Sequence, residues 1–224
     1  MSRHASRVDD LLVSSNFIRA VRESGYLSIS TALAELVDNS LQASANEVAI
    51  SISQDRADGL HEIVVEDNGV GMSKAEVELC LRFGGSSRFD ARQSFGRFGM
   101  GLPAASLSQA RRVEVSAWRD GGYERTVSLD VDAIVAGNSP TLVARRGPRG
   151  TSTSGCRVRW MQCDRIEYRR LAWLERLLHR ELGRMYRRFI ISGLRLTING
   201  TPVEAVDPTM LTTEVEGASA SLAF

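Results

Sequence analysis

Inside the apolar run from Ile29 to Ala45 the chain carries Glu35-Leu36-Val37-Asp38-Asn39, which sets a carboxylate and a carboxamide four residues apart. Ile29, Leu33, Leu36, Val37 and Leu41 recur at helical spacing, predicting a helix over 29–45 with Ser28 or Ser30 as its cap. Glu35 and Asn39 then project from one face, a turn apart. The helix must cover an apolar layer while presenting this polar pair either to solvent or to the wall of a site. Taken alone, the pair fits a solvated face better. A carboxylate so placed can also orient and deprotonate a water, and the neighbouring amide oxygen can ligate a hard cation such as Mg2+.

Short helices and strands alternate along the rest of the chain. Residues 1–10 read as a flexible or exchangeable arm. Leu11, Leu12, Phe17, Ile18 and Val21 predict a short helix that Gly25-Tyr26 breaks. Residues 47–53 alternate polar and apolar, as a half-buried strand does, and a second strand over 61–66 follows a turn at Asp55 to Gly59. Ser73 with Glu76 forms a capping-box pattern ahead of a helix over 74–81. Residues 83–98 combine Gly, Ser and Arg with four phenylalanines, a loop suited to closing over something. A helix to about Ala110 follows, then strands over 112–118 and 123–129. Residues 136–155 are rich in Gly, Pro, Ser and Arg and read as the least ordered interior stretch. Strand 157–160, an amphipathic helix over 167–191 and a hairpin turning at Asn199-Gly200 complete the pattern.

Composition is that of an ordinary globular protein, and 224 residues suffice for a sizeable core. A net charge of +1 gives no bulk electrostatic case for nucleic acid or anionic membrane. Of the 28 basic residues only Lys74 is a lysine, so a basic contact to phosphate falls to arginine. No apolar stretch could span a bilayer, and the polar N-terminus is unlike a signal peptide. Cys80, Cys156 and Cys163 lack metal-ligand spacing and read as reduced thiols of a cytoplasmic protein.

Two further motifs bear on chemistry. Asp67-Asn68-Gly69-Val70-Gly71-Met72 follows a strand. Asp-Asn-Gly there is a hairpin signal, yet Met72 leads into a helix cap instead of a second strand. The other reading is a strand-end carboxylate followed by glycines that let backbone approach a flat ligand. Asp67 would then accept a hydrogen bond from an exocyclic amine such as that of adenine. Gly96-Arg97-Phe98-Gly99-Met100-Gly101 opens a helix, where free N–H groups and the macrodipole favour phosphate. A dinucleotide fingerprint would require a preceding strand, and a Walker A loop a Gly-Lys-Ser/Thr. Neither is present, and a plain glycine-rich helix cap is the remaining alternative.

In this order the three motifs resemble the GHKL ATPase superfamily, which includes gyrase B, the ninety-kilodalton heat-shock chaperones, MutL, MORC proteins and sensor histidine kinases. Glu35 to Ala43 is similar to MutL and MORC wording, and Phe83-Gly84-Gly85-Ser86-Ser87 to MORC. A weaker similarity to bacterial chaperone-like members runs from 150 to 208. The resemblance implies that Glu35 activates the attacking water and Asn39 holds Mg2+. It implies that Asp67 reads adenine in a pocket lined by Gly69, Gly71 and Met72. Gly84, Gly85, Ser86, Ser87 and Gly96, Arg97, Phe98, Gly99, Met100, Gly101 would form the lid and cradle the phosphates. The family's supporting threonine has two counterparts, Cys156 in Gly155-Cys156 and Thr151 in Gly150-Thr151. A thiol is the weaker donor. Several members supply a lysine to the γ-phosphate from a following domain, and Lys74 is misplaced for that role.

The expected fold is a two-layer α/β sandwich of the Bergerat type, with a mixed, mostly antiparallel sheet and helices on one face. Residues 1–24 form an arm and short helix, 25–208 the ATP-binding domain, and 209–224 a tail or the start of a following segment. The expected function is Mg2+-dependent ATP hydrolysis, with lid closure coupled to dimerisation or partner engagement. The ligands are ATP and ADP. A homodimer on ATP binding is implied, a protein or DNA partner is open, and no membrane is involved. A binding switch with negligible turnover and a plain α/β domain without nucleotide are the competing readings.

Overall fold

The computed structural model describes residues 14–55, 59, 61–84, 100–138 and 140–207. Its elements in chain order are α1 (Ser14–Ser24), α2 (Ile29–Gln42), β1 (Glu47–Gln54), β2 (His61–Asp67), α3 (Lys74–Cys80) and α4 (Gly101–Gln109). They are followed by β3 (Arg112–Trp118), β4 (Tyr123–Asp130), α5 (Val131–Val135), β5 (Arg145–Arg149) and β6 (Gly155–Cys163). Helices α6 (Leu171–Met185) and α7 (Arg187–Ile191) then precede the hairpin β7 (Arg195–Ile198) and β8 (Thr201–Pro202). The expected arm over residues 1–10, most of the 83–98 segment and the 209–224 tail lie outside the described residues.

The eight strands form one sheet in the order β5-β4-β3-β6-β2-β1-β7-β8. Among the described residues only the β1–β7 pairing is parallel, as expected for a mixed, mostly antiparallel sheet. Alternation along the strands sorts the two faces. Val48, Ile50, Ile52, Ile63, Val65, Val113, Val115, Val158 and Trp160 point inward and are buried. Leu33, Leu36 and Val37 of α2 and Leu174, Leu178 and Leu182 of α6 meet them from the helical layer. Trp160 donates its indole N–H to Ser106 Oγ at 2.9 Å and so pins α4 to the inner sheet. The opposite sheet face carries ion pairs, Arg159 with Glu62 and Arg157 with both Glu66 and Glu124.

Local signals fix several boundaries. Ser28 accepts the Ser30 N–H and starts α2, and Ser73 and Glu76 make the reciprocal capping box of α3. Asn199 at φ 47° and Gly200 at φ 78° supply the two left-handed residues of the β7–β8 turn.

Two expectations are corrected. The helix expected over 167–191 is two helices, with Arg170 as an extended N-cap and a break at Tyr186. Tyr186 is buried, and its hydroxyl reaches Ala34 O at 2.7 Å and Asp38 Oδ1 at 2.8 Å on α2. This tertiary anchor interrupts the helical periodicity. The 136–155 stretch, expected to be the least ordered, contains edge strand β5, which pairs with β4 through Arg149↔Tyr123 and Arg146↔Arg125. Backbone pairing makes that strand despite its polar sequence.

Replacing Leu178, fully buried between α6 and the sheet, by alanine should lower stability by about 2–5 kcal/mol. Leu27→Ala, at a residue 89% exposed, should change it by less than about 0.5 kcal/mol. Urea unfolding midpoints of the two variants check this ordering.

Candidate nucleotide site

β2 runs inward-facing through Ile63 and Val65 to Asp67, so the strand's period delivers a carboxylate to the helical side of the sheet. Asp67 is 9% exposed. Its Oδ1 accepts the Gly69 N–H and its Oδ2 the Ser40 hydroxyl, both at 2.9 Å. Burial pushes the Asp67 pKa up, and these hydrogen bonds partly oppose the rise.

The following loop does not turn back as a hairpin. Asn68 Oδ1 accepts the N–H groups of Asn46 and Glu47, which ties the loop to the start of β1. Val70 N–H bonds Ala43 O at 2.9 Å, at the end of α2. Gly71 has φ +66°, and a Cβ there would lie 2.0 Å from Trp118 O, so both conformation and space require glycine. Arg119 clamps this loop: it donates to Val70 O at 3.1 Å and Gly71 O at 2.8 Å, and pairs with Glu76 at 3.0 Å.

Around Asp67 lies a mostly apolar cavity of about 240 Å³. Asn39, Asp67, Gly71, Met72 and Cys156 all line it, together with Ser40, Leu79, Leu102 and Arg119. Cys156 sits opposite Asp67 in the β2–β6 register, and burial raises its thiol pKa well above the ordinary value. Thr151 instead donates to Glu66 Oε1 on the outer face. Of the two counterparts of the family threonine, Cys156 is the one beside the carboxylate.

Glu35 lies one helical turn from Asn39, at the cavity end where α4 begins. It is not itself a lining residue. Asn39 Nδ2 donates to Glu35 Oε1 at 3.4 Å, which leaves the amide oxygen as the group of Asn39 able to accept or to ligate. Glu35 Oε2 accepts the Tyr26 hydroxyl at 2.9 Å. Gly101 packs directly on the carboxylate: a Cβ there would lie 1.9 Å from Glu35 Oε1. Burial raises the Glu35 pKa, and Tyr26 and Asn39 hydrogen bonding counters it. The same burial raises Tyr26 to about 12.

Met100, half-exposed, is the N-cap of α4 and makes no side-chain cap bond; because Pro103 has no N–H, the first turn offers the N–H groups of Gly101 and Leu102 as its donors. Gly84 ends the described segment in a left-handed turn at φ +75° and does not line the cavity. Gly69 lies behind the lining, against Ala43. Gly85, Ser86, Ser87, Gly96, Arg97, Phe98 and Gly99 lie outside the described residues.

Among the described residues no cluster of three or more His, Cys, Asp or Glu could hold a metal ion. The amide oxygen of Asn39, a hard oxygen donor lining the cavity, fits Mg2+, an ion that would take most of its shell from water and substrate. Sequence reasoning missed Ser40, Arg119 and Tyr26. Ser40 is signalled only weakly, as a small polar residue in an apolar helix. Arg119 and Tyr26 reach the site through tertiary approach and leave no pattern in the chain.

A model of the family described as Histidine kinase-, DNA gyrase B-, and HSP90-like ATPase matches residues 27–147. Similar proteins include MICRORCHIDIA 4 of Arabidopsis thaliana, 33% identical over 79 residues, covering 34% of this chain and 10% of that protein. The putative type II restriction enzyme HgiDII of Herpetosiphon aurantiacus is 35% identical over 139 residues, covering 54% and 22%. The DNA mismatch repair protein MutL of Macrococcus caseolyticus is 26% identical over 167 residues, covering 70% and 24%. The matched parts thus span between 10% and 24% of the length of these curated relatives.

Because burial holds the Asp67 pKa above its unfolded value, protonation of this group favours the folded state. That contribution is full below about pH 3.9 and is lost as pH rises through the raised folded value. Asp67→Asn should therefore melt no lower than the wild type at pH 8, with the gap narrowing toward pH 4. ATP affinity should fall by at least about tenfold. Melting curves across pH and calorimetric titration check the two parts.

Proposed function

The chain belongs to the histidine kinase-, DNA gyrase B- and HSP90-like ATPase family, and from that membership we propose that it binds ATP with Mg2+ and hydrolyses it. The supporting observation is the convergence of Asp67, Asn39 and Glu35 along α2 and the end of β2, with α4 opening against Glu35. Adenine enters the cavity and donates its exocyclic amine to Asp67. The triphosphate runs along α2 past Asn39 toward the start of α4. Glu35 orients a water whose oxygen attacks the γ-phosphorus in line. The bond to the β–γ bridging oxygen breaks, ADP leaves, and the water's proton passes to Glu35. Bound Mg2+ supplies neutralisation of phosphate charge, and the protein's part is positioning and exclusion of solvent.

Lid closure over ATP coupled to dimerisation or partner engagement is the accompanying proposal. A nucleotide-sensing switch with negligible turnover is the second reading. It is supported by the placement of Lys74, the single lysine of this sequence, which pairs with Glu78 on α3 at 3.7 Å and is not among the residues lining the cavity.

A polyanion partner is supported by edge strand β5. Arg146 stands directly opposite Arg125, a like-charge pairing that weakens a sheet. Arg145 bonds Ser128, Arg149 reaches Gly121 O, and Arg146 covers the Tyr123 ring at 3.6 Å, so these guanidinia engage neutral groups. Pro148 disfavours strand addition by a peptide at this edge. Relatives named as a DNA mismatch repair protein and a putative type II restriction enzyme fit the same proposal.

Glu35→Ala should reduce phosphate release by at least about a hundredfold while leaving ATP affinity within about twofold of wild type. Turnover equal to wild type would contradict the role. Replacing Arg125, Arg145, Arg146 and Arg149 together by alanine should weaken binding to duplex DNA and flatten its salt dependence by about 0.9 per contact removed. Fluorescence anisotropy at several salt concentrations reads both.

A further inference from the structure

We infer that Tyr26 is a positioning residue for hydrolysis: its phenol holds the Glu35 carboxylate in the one orientation that serves the water. This deepens the reading above and rests on Glu35 being the base. Tyr26 lies in the short link between α1 and α2, nine residues before Glu35. Its hydroxyl donates to Glu35 Oε2 at 2.9 Å. The link is itself fixed, because Gln109 at the end of α4 donates to Tyr26 O at 2.7 Å. Gln109 is buried, and its side chain also donates to Ser108 Oγ.

The carboxylate therefore has two unlike oxygens. Oε2 is engaged by the phenol. Oε1 faces Asn39 Nδ2 and the Gly101 backbone, the side on which α4 starts and the phosphates are placed. A glutamate has three rotatable side-chain bonds, and on a half-buried helix face it can swing between cavity and solvent. A hydrogen bond from a residue outside its own helix removes that freedom. Oε1 is then left as the oxygen that meets water, and the entropy of orientation is settled before ATP arrives. The route from the Gln109 side chain to the Tyr26 carbonyl, and from the Tyr26 hydroxyl to Glu35, also links the base to α4.

Tyr26→Phe keeps the ring and its packing and removes only the hydroxyl. The experiment measures steady-state phosphate release, calorimetric ATP affinity and melting temperature for wild type, Tyr26→Phe, Glu35→Gln and the double variant. The expected result is a kcat about tenfold lower in Tyr26→Phe, the size of one well-made hydrogen bond, with KM and ATP affinity within about twofold. In the Glu35→Gln background the tyrosine change should have no further effect, since its action passes through Glu35. Unchanged kcat in Tyr26→Phe, a KM rise matching the kcat loss, or losses that multiply in the double variant would each overturn the inference. Those results leave the base assignment intact as long as Glu35→Gln lowers turnover by at least about a hundredfold to a residual rate against which the double variant is read. Wild-type turnover in Glu35→Gln, or no turnover in the wild type, removes the base assignment and this inference with it.

Discussion

A carboxylate held at the inner end of a strand, largely out of water, is the constraint on which the site depends. Burial disfavours the charged form of Asp67, and the fold meets that cost with a helix hydroxyl from Ser40 and a backbone N–H from Gly69. Both donors belong to neighbouring segments, so the register of β2 against β6, the end of α2 and the glycine loop must all be right for the group to be tolerated. Arg119 and the close Trp118–Gly71 approach fix the loop from the far side. The cavity is a consequence of this arrangement: glycines keep the backbone low, and Leu79, Leu102 and Met72 wall the space.

Glu35 repeats the logic midway along α2. It too is raised by burial and is supported from outside its helix, by Tyr26. The two acids sit on separate elements, yet α2 touches both, through Glu35 itself and through Ser40 to Asp67. One helix therefore sets the distance between the two acids, and with it that between the proposed purine and phosphate ends of the site. The Tyr186 hydroxyl bonds this helix at Ala34 and Asp38, so the break between α6 and α7 serves the placement of α2.

Much of the fold is legible in the chain because it rests on short-range physics. Strand alternation by itself puts Ile63, Val65 and Asp67 on one face, and the Ser28 and Ser73 caps and the Asn199-Gly200 turn are local chemistry. Asp67, Asn39 and Glu35 stand out only jointly: the Glu35–Asn39 pair by itself fits a solvated face, and the order of the three motifs along the chain is what groups them. β5 is not legible, because Arg145–Arg149 has no apolar alternation and is a strand only through pairing with β4. The split at Tyr186 is hidden because apolar spacing continues across it. Ser40, Arg119 and Tyr26 escape a reading of the chain because each acts across a sequence gap.

The central claim is that Asp67 reads the exocyclic amine of adenine inside the cavity beneath α2. Titration calorimetry of the chain with magnesium present tests it most directly when ATP, ADP and GTP are compared. The account predicts saturable heat for ATP and ADP, and affinity for GTP weaker by at least about a hundredfold, because guanine presents a carbonyl where the buried carboxylate needs a donor. Equal binding of GTP, or no heat from ATP at millimolar concentration, would contradict it.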